Sequence, residues 1–313
     1  MKNKPLCAII VHEMNAVVAK YLERSIESCF DQTHKADLIV VTTKDAAEKM
    51  EKIEVFKSLQ ARFEKERDTN DESLVYERVI ADDWKPKPGF LPETDDYSST
   101  QQAMMNLAVE YSLENGYEYL NILEYDDFLH TKYCEYCIEY MKHKKADICL
   151  PMALMFGPGK TGYDDPYKNV VAIANDAGWA PGIYHEQGWV DIDGLLKGHP
   201  VYNLIVSALY NTKIFANNEP GYPGFKPALK WKFDFEFLLR AVYQGAKVFV
   251  VPRNLYGHMV NRKDSLTESL SGSMNKEEAT FWEAQARKQF FFSKHRPIQY
   301  EEKHERSEET KEA

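Results

Sequence analysis

The chain has no apolar run approaching the roughly 20 residues of a transmembrane helix. Its start, Met1-Lys-Asn-Lys-Pro5, carries no signal-peptide pattern ahead of the first strand-like stretch. A cytoplasmic location is the expectation. A basic excess is also missing: 39 Lys and Arg stand against 49 Asp and Glu, a formal net charge of −10. That balance excludes a uniformly basic nucleic-acid-binding surface and leaves room only for a local patch. A disulfide framework is not expected either. The five cysteines (7, 29, 134, 137 and 149) make an odd count, and Cys7 and Cys149 lie in apolar strand-like runs, so reduced buried thiols are expected. Cys134-Glu-Tyr-Cys137 has C-x-x-C spacing but lies in a helical pattern with no second pair, which argues against zinc or redox chemistry. No internal repeat is present. Gly157-Pro-Gly-Lys-Thr161 looks like part of a phosphate-binding loop, but Leu154 stands where that motif needs glycine and no helical pattern follows.

What remains is an α/β alternation. With 313 residues, 44% hydrophobic and 13% aromatic, the chain can bury a substantial core as one large or two smaller domains. Residues 6–11 read as a buried strand, 17–30 as a helix with Val18, Leu22, Ile26 and Cys29 on one side, and 37–43 as a second strand. Strand, helix and strand in that order suggest a parallel βαβ unit. A charged helical stretch follows over 46–67, a third strand over 74–80, a Pro/Asp/Gly-rich loop over 82–97 and a helix over 99–114. After residue 119 come a strand, a helix from about 131, and a strand over 148–154. Residues 156–200 change character, with Tyr163, Tyr167, Trp179, Tyr184 and Trp189 among Gly, Asp and Pro. Such a segment is either a functional loop or lid, or a loop pinned to the body by its aromatics. A strand is expected over 201–210, a turn over 219–227, a helix over 234–243 closed by Gln244-Gly245, and a strand over 246–251 ending at Pro252. Residues 256–265 read as a polar loop with His258 and Arg262, and 276–292 as a helix. The expected organisation is one domain over 1–267, a helical extension over 268–300 and a charged tail over 301–313.

The pivotal stretch is Tyr119-Leu-Asn-Ile-Leu-Glu-Tyr-Asp-Asp127. An apolar run ends in Glu124, Asp126 and Asp127, and open α/β sheets place ligand chemistry at the C-terminal ends of their strands. Adjacent carboxylates there suit a divalent cation on a phosphate, because hard cations prefer oxygen ligands. The plainer alternative is a solvated Asp-Asp turn.

Three separated pieces resemble the family 2 glycosyltransferases of GT-A fold. The first is Ile9-Ile-Val-His-Glu-Met-Asn15 with Tyr21-Leu22, Ser25, Ser28, Gln32-Thr33 and Leu38-Ile-Val-Val41. The second is Asn106, Gly116-Tyr-Glu-Tyr-Leu120 and Glu124-Tyr-Asp-Asp127. The third is Asp234-Phe-Glu-Phe-Leu-Leu-Arg240 with Gly245, His258 and Ser265-Leu266. The resemblance implies a Rossmann-like, mostly parallel central sheet flanked by helices, with a long irregular segment on the acceptor side. It implies transfer of a sugar, a hexose or pentose, from a nucleotide-sugar donor, a UDP-sugar favoured, to an acceptor hydroxyl with inversion. A divalent metal, Mn2+ or Mg2+, would be held by Asp126 and Asp127, with His258 as a possible third ligand. Asp234 would be the general base, with Glu236 the fallback, and helix capping is the structural alternative for Asp234. His12, Glu13, Asn15, Thr43 and Asp45 would line the nucleoside site, and Thr100, Gln102, Asn106 and Asp126 the donor phosphate or sugar. Arg240 is expected to pair with a carboxylate within the fold.

The chain departs from the family pattern at three places. Thr42-Thr43-Lys44-Asp45 replaces the usual Asp-Asp-Gly-Ser, leaving the base open; Glu124 replaces the first Asp of the metal block; Phe233 replaces the Glu before Asp234. The acceptor is a glycan or another hydroxyl compound. Lys226, Lys230, Lys232, Arg253, Arg262 and Lys263 could form a basic rim, in which case a hydroxylated base in DNA is the minority alternative. Two other classes stay open. A sugar-1-phosphate nucleotidyltransferase would carry a Gly-rich, Arg/Lys-containing triphosphate loop, and residues 10–20 contain neither Gly nor Arg. A non-catalytic binding module would have no use for Asp126, Asp127 and Asp234 together.

Overall fold

The apolar runs become the strands of one sheet in a computed structural model, which describes residues 2, 4–70, 74–82, 101–156, 188–190, 207–216, 224–226 and 233–259. In chain order the elements are β1 (Leu6–Val11), α1 (Ala16–Phe30), β2 (Asp37–Thr42), α2 (Lys44–Met50), α3 (Glu54–Asn70), β3 (Tyr76–Ile80) and α4 (Gln101–Glu114). There follow β4 (Tyr119–Glu124), β5 (Phe128–Leu129), α5 (Tyr133–Lys144), β6 (Ile148–Phe156), β7 (Leu209–Asn211), α6 (Lys213–Ala216), α7 (Phe233–Tyr243) and β8 (Val248–Met259). The sheet order is β3-β2-β1-β4-β7-β6-β8-β5. β3, β2, β1 and β4 run parallel, as do β6 and β8, while β7 is antiparallel to both its neighbours and β5 to β8.

β1 and β2 are buried along their whole length because helices cover both faces. Cys7, Ile9 and Val11 pack with α1, α3 and α5 on one side. Leu6, Ala8 and Ile10 pack with α4 and α7 on the other. The result is a three-layer α/β body with a core on each face of the sheet. The connection from β4 to β5 is only Tyr125–Asp127, yet β5 lies at the far end of the strand order. Two strands so close in sequence can be so distant in order only if the sheet curls back on itself.

Three sequence expectations need correction. The helix expected over 46–67 is two helices. At about 100° per residue, an unbroken helix would put Met50 nearly opposite Phe56, Leu59 and Phe63, yet all four are buried in the same core. The turn at Glu51–Ile53 re-aims the chain, with Ile53 N–H donating to Met50 O at 3.1 Å. The strand expected to stop at Pro252 continues to Met259. Its pairing with β6 jumps from Pro151↔Val251 to Met152↔Asn254, so Pro252 and Arg253 have no register partner. Proline has no N–H to give a ladder and is tolerated at such an irregularity. Tyr256 and His258 are therefore strand residues rather than part of a polar loop. Third, the strand expected over 201–210 is described only from 207, where it comprises Leu209–Asn211. The loop at 83–97, most of 156–200, the helix at 276–292, the extension and the tail lie outside the described residues. Within 156–200, Trp189 bridges Phe249 and packs edge-on against its ring. The helix end expected at Gly245 is present, with φ +94°.

Gly257 pairs with Phe128 across β8 and β5, and a Cβ added there would be driven into the fully buried Phe128 ring. Gly257→Ala should lower stability by about 1–3 kcal/mol, the usual cost of overpacking a tight core, read as a lower urea midpoint with an unchanged slope. A midpoint equal to wild type would show that Phe128 is not held by its surroundings.

Candidate active site

The carboxylates lie where β4 ends at the closure of the curl. Asp127 N–H donates to Glu124 O at 3.1 Å, making the turn. Ser25 Oγ, on α1, donates to the carbonyls of Tyr125, at 2.7 Å, and Asp127. The Asp127 side chain is held from the other direction. It accepts from Tyr256 Oη at 2.8 Å and Met259 N at 2.8 Å, and His258 Nδ1 lies 3.0 and 3.1 Å from its two oxygens. An ionised carboxylate can only accept, so Nδ1 carries the proton.

Acidic oxygens of Glu124, Asp126 and Asp127 lie within 4.8 Å of one another, the single such group among the described residues. Glu124 is half-buried, and its carboxyl is pushed above the usual range by burial and then by the charge of Asp127, with Asp234 adding to it. His258 and the amide of Gln101 act in the opposite sense; Gln101 Nε2 donates to Glu124 Oε1 at 2.7 Å. Burial alone would discourage a charge on His258. The Asp127 carboxylate, by charge and hydrogen bond, overrides it with help from Glu124 and Asp126, and raises the imidazole to about 9. Crowded hard-oxygen donors with excess negative charge fit a divalent cation. Glu124, Asp126 and the second ring nitrogen of His258 supply the donor types one would need.

Asp234 opens α7. Its Oδ1 accepts from Phe235 N–H at 2.8 Å, a first-turn contact, and its charge acts on both Glu124 and Tyr210. It therefore belongs to the electrostatic neighbourhood of the carboxylates. Glu236 has a different environment. It is buried, 2.8 Å from Lys226 Nζ and 3.1 Å from Arg240 Nε. Burial would raise its carboxyl, but Arg240 and Lys226 together hold it below the usual carboxylate range. A saturated, acidified carboxylate is a poor proton acceptor, so the fallback assignment of Glu236 as a base gives way to a structural one. Arg240 meets the expected carboxylate and also donates to Gly224 O at 2.5 Å.

Asn106 is likewise committed: its Nδ2 donates to Phe225 O and its Oδ1 accepts from Phe225 N, both at 2.7 Å. It clamps residues 224–226 to α4. On the nucleoside side, Thr43 Oγ1 donates to His12 O at 3.2 Å and caps α2 at Ala46 N, joining the ends of β1 and β2. Asn15 Oδ1 caps α1 at Val17 N and Val18 N, both at 2.9 Å, and Glu13 accepts from Asn15 Nδ2 at 3.3 Å. Asp45 is exposed and paired with Lys49 at 2.6 Å. Gln102 is buried on α4, and Thr100 lies outside the described residues. Two residues missed in the sequence are Gln101, above, and Asp82, which follows β3 and accepts from Lys44 N at 2.8 Å. Nothing local marks either; the strand-end position of Asp82 is the only available signal. Of the expected basic rim, Lys226 is spent on Glu236 and Arg253 lies over the Tyr136 ring; the other four residues are outside the described set. A DNA acceptor thus has no support among the described residues. All five cysteines are free and buried, as expected.

The three-layer body and its curled sheet match solved structures of TarS from S. aureus. The UDP complex of its residues 1–349 matches at 16% identity and a TM-score of 0.52, over 93% of this chain and 72% of that one. The UDP-GlcNAc complex of the same piece matches at 14% identity and a TM-score of 0.57, over 95% and 68%. Against the longer TarS structure the TM-score is 0.50, and this chain spans 44% of that chain's length. No protein-family model matches the chain, and no curated protein matches it by sequence. At such identities the likeness is one of fold: the chain has the Rossmann-like GT-A fold.

The His258–Asp127 pair carries a pH signature in metal-free protein. The imidazole rises from 6.5 to about 9 on folding, so its contribution is complete below about pH 6.5 and lost as the pH climbs through 9. Urea midpoints with chelator present should show wild type losing its advantage over His258→Gln between pH 7 and 10. An advantage that stays constant across that range would mean the ring is not charged in the fold.

Proposed function

We propose that this chain is a metal-dependent, inverting glycosyltransferase, similar to family 2, that uses a nucleotide-sugar donor, a UDP-sugar favoured. The observation that carries this reading is the carboxylate group at the C-terminal end of β4 in a fold whose matched structures were solved with UDP and UDP-GlcNAc. Glu124, Asp126 and His258 would hold a divalent cation, Mn2+ or Mg2+. Bound there, it would neutralise the donor diphosphate as the leaving oxygen takes up charge. His12, Glu13 and the Thr43–Asp45 corner lie at the ends of β1 and β2, where the nucleoside of such a donor would sit. Gln101 orients Glu124, while Asn106 and Arg240 fix residues 224–226 beside α7.

Asp234 is our candidate general base. It would accept the acceptor hydroxyl's proton as the oxygen attacks the anomeric carbon from the face opposite the diphosphate, giving inversion. The negative field of the carboxylates around it favours the protonated product of that step. The acceptor itself is a hydroxyl compound, with a glycan the leading class. No helix among the described residues is long and apolar enough to cross a membrane.

The deciding experiment is a thermal-shift panel of nucleoside diphosphates and sugar nucleotides with and without Mn2+. A ligand at a hundredfold its dissociation constant should add about 2.7 kcal/mol to stability. The expected result is a Mn2+-dependent shift with UDP or a UDP-sugar that Asp126→Asn removes; no shift with any nucleotide would refute the donor site. Once an acceptor is found, Asp234→Asn should keep the donor-induced shift and lose about 100- to 10,000-fold in kcat, the usual worth of a general base. A near-wild-type kcat would remove Asp234 from that role.

A further inference from the structure

Asp127 stands inside the carboxylate group, yet its oxygens are turned to β8. Oδ1 accepts from Met259 N–H at 2.8 Å, Oδ2 from Tyr256 Oη at 2.8 Å, and both lie against His258 Nδ1. Its side chain has no exposed surface, whereas His258 retains 22%. The register explains the placement. Phe128 pairs with Gly257 and Leu129 with Tyr256 in antiparallel sense, so the same ladder carried one step further sets Asp127 opposite His258. A carboxylate has about four lone-pair sites. Here three donors on β8 already occupy them, and a cation would have to displace one.

We propose that Asp127 is a positioning residue for His258 rather than a metal ligand: it holds the ring through Nδ1–H, leaving Nε2 as the ring atom that faces the cation held by Glu124 and Asp126. This inference rests on the metal-dependent reading above. Metal-binding imidazoles characteristically donate their other N–H to a carboxylate, and removal of that partner costs about 10–100-fold in metal affinity. The influence of Glu124 and Asp126 on the His258 charge is consistent with a ring that lies next to both. The division of labour is then two oxygen donors and one nitrogen donor, with the third carboxylate aiming the nitrogen.

The test is a thermodynamic cycle on Mn2+ affinity in the full chain, measured by electron paramagnetic resonance of free Mn2+. Wild type, Asp126→Asn, Asp127→Asn, His258→Gln and the Asp127→Asn/His258→Gln double variant are compared. We expect Asp127→Asn to weaken binding about 10–100-fold in wild type and to have no further effect once His258 is Gln. Losses that add in the double variant would make Asp127 an independent ligand, and an Asp127→Asn protein with wild-type affinity would remove it altogether; either overturns the inference. Should Asp127→Asn fail to fold, 15N-imidazole spectra of wild type with Zn2+ decide. A His258 signal, assigned by its loss in His258→Gln, with Nε2 metal-bound and Nδ1 protonated is required, and Nδ1 binding or no bound His258 overturns the proposal. Failure of the two readings is distinguishable. Mn2+ binding lost in Asp126→Asn but with additive Asp127 and His258 effects spares the function and removes only this inference, whereas no Mn2+ binding by wild type removes both.

Discussion

The contact on which the site depends is the one between Asp127 and β8. The curled sheet brings β5, the last strand in the order, back to the end of β4, and only three residues bridge the two. Ser25 on α1 holds the carbonyls of that bridge, and Tyr256, His258 and Met259 hold the Asp127 carboxylate. Hydrogen bonds to a charged group are worth about 1.5–3 kcal/mol each, and a buried carboxylate stripped of them would be strongly destabilising. The closure of the sheet and the geometry of the carboxylates are therefore one interaction. Gly257 belongs to it as well, because the close approach of β8 to Phe128 leaves no room for a side chain.

A second buried ionic assembly supports the opposite wall. Lys226, Glu236 and Arg240 form a compact triad, and Arg240 extends it to the carbonyl of Gly224. Asn106 grips the next residue, Phe225, by both backbone groups, and Phe225 packs against Phe237. Residues 224–226 and the first turn of α7 are thus tied to each other and to α4. Such an assembly adds little net stability compared with apolar packing of the same volume. Its consequence here is orientation: the turn bearing Asp234 has few ways to move relative to β4, a requirement for any group that must meet a reacting atom within hydrogen-bond reach.

Much of this was legible in the sequence, and the limits follow from physics. β1, β2 and β4 are buried on both faces, so each appears as an unbroken apolar run, and the end of β4 was visible as an abrupt change from Leu123 to Glu124. The Glu236–Arg240 pair was within reach because four residues is one helical turn. The break at Glu51–Ile53 was not, since local charge and propensity suit one continuous helix and only the shared core demands two. β8 runs past Pro252 because of a register shift with β6, a tertiary event that leaves no local trace. The pairing of Asp127 with His258 spans 131 residues. Sequence reasoning could group the two as co-ligands, but only the β5–β8 register shows that one is bonded to the other.

The two ionic assemblies also bear on whether the carboxylate group is structural. Glu236 is fully buried, and the fold provides it with two cations at contact distance, enough to keep it acidic despite its burial. Glu124 receives the reverse treatment. Burial, Asp127 and Asp234 all work against its charge, and among its leading influences only His258 is cationic. His258 in turn is already engaged by Asp127. If the group at the end of β4 served only to hold the fold, placing a third acid beside Asp126 and Asp127 would be a cost without return, and an amide of the same shape would serve better. One domain thus neutralises one buried acid completely and leaves a cluster of three under-neutralised at the mouth of its central strand. A bound cation resolves that asymmetry, because it supplies charge that the protein withholds and does so at the sheet edge where the fold presents ligands.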